Sequence, residues 1–245
     1  MAVAESRRPT PSYKGQRMIR YALIGVGLIA TSALAQQADD KVPADQVQAA
    51  PANVVAMDEP MPGDHWTYEA RDEITGKTTG RRTLLVTDVT PTEISVRVSF
   101  QGSDRTGFSI YDRSWNLKSR DPWKYAPNDG LGVKSPLQVG ATWAFKADDV
   151  NSSAGPAGIW KRTGASKVVA QEKLTTKAGS FDTFKIETTY STRRPNDPNN
   201  LNEVVVQTWY APAIDHMVKQ TIVSRTNKLL RDNNSSELVE YGRKD

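Results

Sequence analysis

From Glu93 to Phe100 the chain reads Glu-Ile-Ser-Val-Arg-Val-Ser-Phe, a strict alternation of polar and apolar side chains. Successive side chains of a β-strand point to opposite faces, so Ile94, Val96, Val98 and Phe100 share one face. Glu93, Ser95, Arg97 and Ser99 share the other. Such a segment is buried on one side and wet on the other, the pattern of an antiparallel sheet laid over a core. The same two-residue period returns in Trp66, Tyr68 and Ala70, in Arg82, Leu84 and Val86, and in Phe108 and Ile110. It returns again in Trp143 and Phe145, in Phe184, Ile186 and Thr188, and in Val204, Val206 and Thr208, which oppose Val205, Gln207 and Trp209. Val218 to Val223 and Leu238 to Tyr241 complete the strands, and Ile159 to Ala170 reads as one long strand or two, with Gly164 as a bulge.

Between these runs lie Thr75-Gly76, Thr90-Pro91 and Gly102-Ser103-Asp104, each suited to a tight turn. Asp121 to Pro136 breaks the rhythm with prolines and glycines and reads as an irregular crossover. Arg193 to Asn202 reads as a polar loop. Leu229-Leu230 is compatible with a short helix, but no amphipathic helix of useful length exists. About ten to twelve strands in roughly 180 residues enclose a real core. The expected fold is all-β, with curved antiparallel sheets arranged as a meander, an open barrel or a sandwich. The segment Gly63–Asp72 (GDHWTYEARD) also lines up with Gly140–Asp149 (GATWAFKADD), and Tyr111 through Lys118 faintly echoes Tyr210 through Lys219. Two loosely duplicated halves are therefore expected, with chance similarity of short strands as the alternative.

The N-terminal part carries an address. Arg20 precedes an apolar run of about 14 residues from Tyr21 to Leu34, followed by Ala33-Leu34-Ala35. A basic start, an apolar core and small residues at −3 and −1 make a secretory signal peptide over residues 18–35, cleaved between Ala35 and Gln36. The run is short of the roughly 20 residues of a spanning helix. Residues 1–17 fit a signal poorly and read as an upstream start, with translation beginning at Met18. Residues 36–62 read as a flexible linker and residues 63–245 as the β domain. The presequence holds Arg7, Arg8, Lys14, Arg17 and Arg20 against Glu5, so the formal net charge of +4 belongs to the leader. The mature chain is near neutral, which removes the electrostatic case for nucleic acid. There is no cysteine, so disulfides, thiolate metal sites and thiol catalysis are excluded. The expectation is a periplasmic protein that does not span the membrane after cleavage and is not a lipoprotein.

The second half carries a recurring set of words: Pro136-Leu137 with Gly140 and Trp143, then Ala178-Gly179 with Phe181 and Phe184-Lys185-Ile186, then Trp209-Tyr210-Ala211-Pro212 with Val218-Lys219. In these it resembles small exported bacterial β-proteins of unknown function, including the TapB-like group. The resemblance implies curved antiparallel sheets, distantly like the periplasmic lipoprotein carriers LolA and LolB. Where family members often carry glycines after Trp-Tyr-x-Pro, this chain has Ala213-Ile214-Asp215-His216. Each word also has a folding role: a hairpin turn at Ala178-Gly179-Ser180, a strand stop at Pro212, and large apolar side chains at Trp143 and Trp209.

No catalytic motif emerges. Gly76-Lys77-Thr78 imitates the end of a phosphate-binding loop, but Arg71 stands where that loop needs glycine, and a hairpin turn is the simpler reading. The two histidines, His65 and His216, each follow an aspartate, Asp64 and Asp215, without metal-ligand spacing. Neither a metal nor a cofactor is implied. The better lead is aromatic. Trp115, Trp123 and Tyr125 lie in or beside irregular segments, where they can line a ligand mouth or anchor a partner, or else plug the end of the sheet. The expected function is a non-catalytic binding module for an apolar or lipid-like ligand. The alternatives are an envelope accessory protein that binds another protein through a strand edge or the loop aromatics, and an unrecognised hydrolase.

Overall fold

The computed structural model describes residues 57–243. Twelve strands follow one another: β1 (Asp64–Asp72), β2 (Lys77–Val89), β3 (Glu93–Phe100), β4 (Thr106–Asp112), β5 (Leu117–Arg120), β6 (Trp123–Ala126), β7 (Thr142–Asn151), β8 (Ile159–Thr176), β9 (Gly179–Arg194), β10 (Asp197–Ala211), β11 (His216–Thr226) and β12 (Leu229–Arg243). Each pairs antiparallel with its sequence neighbours, and β1 pairs with β12, so the sheet closes into a barrel. The meander expected from the alternation is thus a closed barrel rather than an open one. Closure leaves no unpaired edge among the described strands, which removes the strand-edge route to a protein partner.

Short turns drive this topology. Between β1 and β2 the Asp72 carboxylate accepts from the amides of Ile74 (2.8 Å) and Thr75 (3.2 Å), and Gly76, at φ 70°, returns its N–H to Asp72 O at 2.8 Å. Gly76-Lys77-Thr78 is therefore a hairpin. The β2–β3 turn closes on Thr90, whose hydroxyl accepts from Glu93 N at 3.0 Å.

One end of the barrel is plugged. There Met57, Trp66, Ile94 and Ile214 are fully buried, and Met57 N donates to Ala213 O at 3.0 Å. Met57 falls in the stretch read as linker, and it is part of the core. The connection from β6 to β7 runs across the same end and is tied to the β4–β5 turn, with Val133 N on Ser114 O at 2.7 Å and Gly132 N on Asn116 Oδ1 at 2.8 Å. The tip of the β8–β9 hairpin joins the core through Phe181, whose ring meets Tyr241 at 5.6 Å, and is tied to β1 at the surface by Lys177, 2.7 Å from Glu69.

Several local readings change. Asp121 to Pro136 contains β6, so Trp123 and Tyr125 sit in a strand. Arg193 to Asn202 is mostly strand, with a turn at 195–196 and a register shift between Asp197 and Asn202. Leu229 and Leu230 open β12 instead of forming a helix. β8 is one strand, and its bulge lies between Val168 and Ala170 rather than at Gly164. Gly164 has another purpose: a Cβ there would stand 2.6 Å from the Phe145 ring and 2.5 Å from Tyr190 Cβ, so only glycine lets Phe145 cross it. On β4 the inward residues are Gly107, Ser109 and Tyr111, while Phe108 turns out to solvent. The two sequence echoes fall on β1 with β7 and on β4 with β10, each pair half-way round the strand order. The signal peptide, the Ala35–Gln36 cleavage site and most of the linker lie outside the described residues.

Candidate functional site

Above the plugged end the barrel encloses a cavity of about 370 Å³. That is the lower range of ligand pockets, roughly 300–1,000 Å³. Space is left because β4 presents Gly107 and Ser109 inward where its neighbour β3 presents Val98 and Phe100. Leu84, Val98, Phe100 and Ile222 make an apolar wall. Phe100 is 42% exposed although it lines the cavity, which marks the open mouth.

The floor is aromatic. Trp115 sits in the β4–β5 turn at φ 59°, and its indole N–H donates to Asp215 Oδ2 at 3.0 Å. Its ring meets Trp66 edge-on at 5.4 Å and His216 at 4.6 Å. His216 is stacked on Trp66 at 4.4 Å, and its Nδ1 lies 2.6 Å from the Tyr68 hydroxyl, which donates to Met217 O at 2.8 Å. With the phenol proton committed to that carbonyl, Nδ1 carries the hydrogen and donates to Tyr68, leaving Nε2 as an acceptor. Burial drives the His216 pKa down to about 3, with the Arg82 charge acting the same way, so the ring is neutral. Asp215 accepts from Trp115 and from the Tyr210 hydroxyl; burial raises its pKa against those bonds.

The polar flank holds three arginines in different states. Arg162 is buried and satisfied: Nη2 lies 2.7 Å from Asp149 Oδ2, Nε lies 3.0 Å from both carboxylate oxygens, and the guanidinium lies 4.3 Å over the Tyr190 ring. Arg120, exposed at the mouth, donates from Nε to Ser109 Oγ at 3.0 Å and from Nη2 to the Tyr111 hydroxyl at 3.2 Å. Arg82 has no carboxylate within ion-pair distance among the described residues, and its Nε is enclosed without a hydrogen-bond partner. Among the described residues Trp66 Nε1 is the other enclosed side-chain nitrogen left unpartnered. Asp129 Oδ1 accepts from Leu117 N and Leu131 N, both at 3.0 Å, yet burial lifts its pKa to about 6.

Of the three aromatics singled out from the sequence, Trp115 and Tyr125 line this cavity. Trp123 lines an adjoining depression of about 230 Å³, which shares Tyr125, Arg162 and Tyr190 with the main cavity. Its ring packs on Trp160 at 5.0 Å. Sequence reasoning passed over Arg82 and Arg120, and it set His216 aside for want of metal-ligand spacing. One signal was available for Arg82: it shares a strand face with Leu84 and Val86, where a charged side chain has to be explained. The histidines are not brought together as a site. His65 is bound locally, its Nδ1 3.3 Å from Gly63 O, while His216 forms the cavity floor. Among the described residues no three His, Cys, Asp or Glu side chains converge as metal ligands. No helix there is long and apolar enough to cross a membrane, a statement that does not bear on strands.

No family model matches the chain, and no curated protein matches it. Three solved bacterial structures are distantly similar to the chain. A candidate lipoprotein from Parabacteroides distasonis is 13% identical with a TM-score of 0.48, over 78% of this chain and 100% of its own. A candidate exported protein with a YmcC-like fold from Bacteroides fragilis is 14% identical with a TM-score of 0.48, over 76% of this chain and 98% of its own. The hypothetical lipoprotein YmcC from Escherichia coli is 11% identical with a TM-score of 0.44, over 76% of this chain and 89% of its own. Two of the three are named lipoproteins, against the expectation of a periplasmic protein that is not one. That expectation is corrected, and the exclusion of a lipoprotein is not retained.

Proposed function

We propose that this barrel is a non-catalytic binding module that holds one apolar or lipid-like ligand, without a cofactor. The observation that carries this reading is the cavity itself: about 370 Å³, closed at the Trp115–His216 floor, open at Phe100, with an apolar wall between. A closed sheet whose inner face is not filled by its own side chains has room for a guest. The outward faces support a barrel standing in water, since Arg97, Lys146, Lys161, Lys167 and Glu203 are exposed where a lipid-embedded barrel carries an apolar band. His216 supports a binding role over a catalytic one, because its ring partner is the phenol of Tyr68, which burial pushes well above its ordinary range.

The test is a titration of the protein with N-phenyl-1-naphthylamine, an uncharged apolar fluorophore, beside the variant Gly107→Leu. Gly107 has no atom within 4 Å of an added Cβ, so the leucine enters open cavity space without disturbing the wall. Saturable binding by the parent chain and its loss in a folded Gly107→Leu variant are expected. Equal binding by both would remove the cavity as the site.

A further inference from the structure

Arg82 is the group in this cavity that the fold leaves unfinished. Every other charged side chain named on the polar flank has a partner: Arg162 has Asp149, Asp129 has two amides, and Arg120 has Ser109 and Tyr111. Arg82 stands 5.9 Å from the Tyr68 ring centroid, with its Nε shut off from water and unbonded. A guanidinium whose Nε is enclosed without an acceptor carries an uncompensated cost, and replacing the side chain with an apolar one of similar length removes it. Its neighbours make matters worse for it. Arg120 lines the same cavity, and the two like charges feel one another. Asp129, the carboxylate that lines the cavity, is held by the amides of Leu117 and Leu131, and Asp149 is committed to Arg162 by three hydrogen bonds. The cavity is therefore positive on one flank and apolar on the other, through Leu84, Val98, Phe100 and Ile222.

We infer that Arg82, assisted by Arg120, receives the anionic head of an amphiphile, a carboxylate or phosphate monoester, whose apolar chain lies along Leu84, Val98, Phe100 and Ile222. This rests on the binding reading above and adds the chemistry of the head group. A guanidinium fork matches an oxyanion with two parallel N–H donors, and in a desolvated cavity such bonds are at their strongest. The ligand then completes the hydrogen bonding that the apo protein lacks. It also offsets the repulsion between the two arginines.

The experiment compares decanoate, decyl phosphate, decanol and inorganic phosphate by isothermal titration calorimetry, on the parent chain and on Arg82→Met and Arg120→Gln. Decanoate or decyl phosphate is expected to bind the parent chain about 10- to 100-fold more tightly than decanol, the range of a charge-assisted hydrogen bond. Arg82→Met should abolish that preference while leaving decanol binding intact, and should raise Tm in the absence of ligand. Arg120→Gln, at the exposed mouth, should narrow the preference and gives a second reading if Arg82→Met fails to fold. If decanol matches decanoate and neither variant changes the ratio, the head-group assignment is wrong and the apolar cavity stands. If no amphiphile binds, both readings fall. If inorganic phosphate binds as tightly as decyl phosphate, the arginines serve a free oxyanion and the amphiphile is overturned.

Discussion

Trp115 and Asp215 hold one another across the closed end of the barrel, with the indole Nε1 3.0 Å from the carboxylate Oδ2 and the two residues 100 positions apart in the chain. Both occupy the left-handed region, at φ 59° and 43°, in the turns that follow β4 and β10. These are the two turns joined by the faint echo between Tyr111–Lys118 and Tyr210–Lys219. These two turns meet over the core, and each contributes one member of a hydrogen bond. The carboxylate also accepts from Tyr210, so a single side chain organises the floor of the cavity.

Asp215→Ala should therefore cost about 2–4 kcal/mol in urea unfolding, because it strands the indole and phenol donors and places alanine at positive φ. Asp215→Asn tolerates that backbone and keeps one acceptor, so it should cost about 1 kcal/mol. Equal losses would mean that the backbone conformation matters and the carboxylate does not.

The Arg162–Asp149 pair should behave as a buried ion pair. Arg162→Met leaves Asp149 enclosed without its three hydrogen bonds and should cost about 3–5 kcal/mol. Adding Asp149→Leu to it should recover most of that loss, since removing both charges also removes their desolvation. A double-mutant cycle by urea unfolding measures this, and simple additivity would contradict it.

Stability against pH should carry two opposed contributions. His216 is lowered from 6.5 to about 3, so its contribution is present above pH 6.5 and is lost as pH falls toward 3. At ~1.4 kcal/mol per pH unit this amounts to about 5 kcal/mol. Asp129 is raised from 3.8 to about 6, so its contribution is present below pH 3.8 and is lost as pH rises through 6, about 3 kcal/mol in all. Between pH 4 and 6 the two oppose each other and the histidine dominates. Asp129→Asn keeps an acceptor for Leu117 N and Leu131 N. It should be more stable than the parent at pH 8 and fall more steeply on acidification. His216→Gln should flatten or invert the acid slope. Unfolding midpoints in urea from pH 4 to 8 decide this, and parallel curves for all three proteins would refute it.

Strands, turns and the buried face of β3 were legible because a half-buried sheet stamps its two-residue period on the chain. The same rule misled on β4. Phe108 and Ile110 carry the apolar period, yet Gly107, Ser109 and Tyr111 face inward. Cavity-lining positions are under no pressure to be large and apolar, so an open interior erases the signal that finds strands. The pairing of β1 with β12 joins the two ends of the domain, and no local pattern encodes so distant a partner. Tyr125 and Trp115 were visible as aromatics near irregular chain. The roles of Arg120 and His216 depend on which strands meet inside the barrel, which only the closed topology decides.

Trp115 and Trp123 should separate in their effects, because one plugs the barrel and the other stands beside an open space. Trp115 touches Trp66, Tyr111, His216 and Asp215, so Trp115→Ala should cost about 3–5 kcal/mol as a large-to-small core change. Trp123 is half-buried against Trp160, and Trp123→Ala should cost about 1–2 kcal/mol and leave the protein folded. Its influence on binding depends on ligand length. The adjoining depression of about 230 Å³ is reached past Tyr125 and Tyr190, so a chain that fills only the main cavity does not touch Trp123. Decanoate affinity should therefore be insensitive to Trp123→Ala and sensitive to Tyr125→Ala, while hexadecanoate should lose affinity in both. Calorimetric titration of the two fatty acids against the two variants tests this, and a decanoate affinity that falls in Trp123→Ala would merge the two spaces into one site.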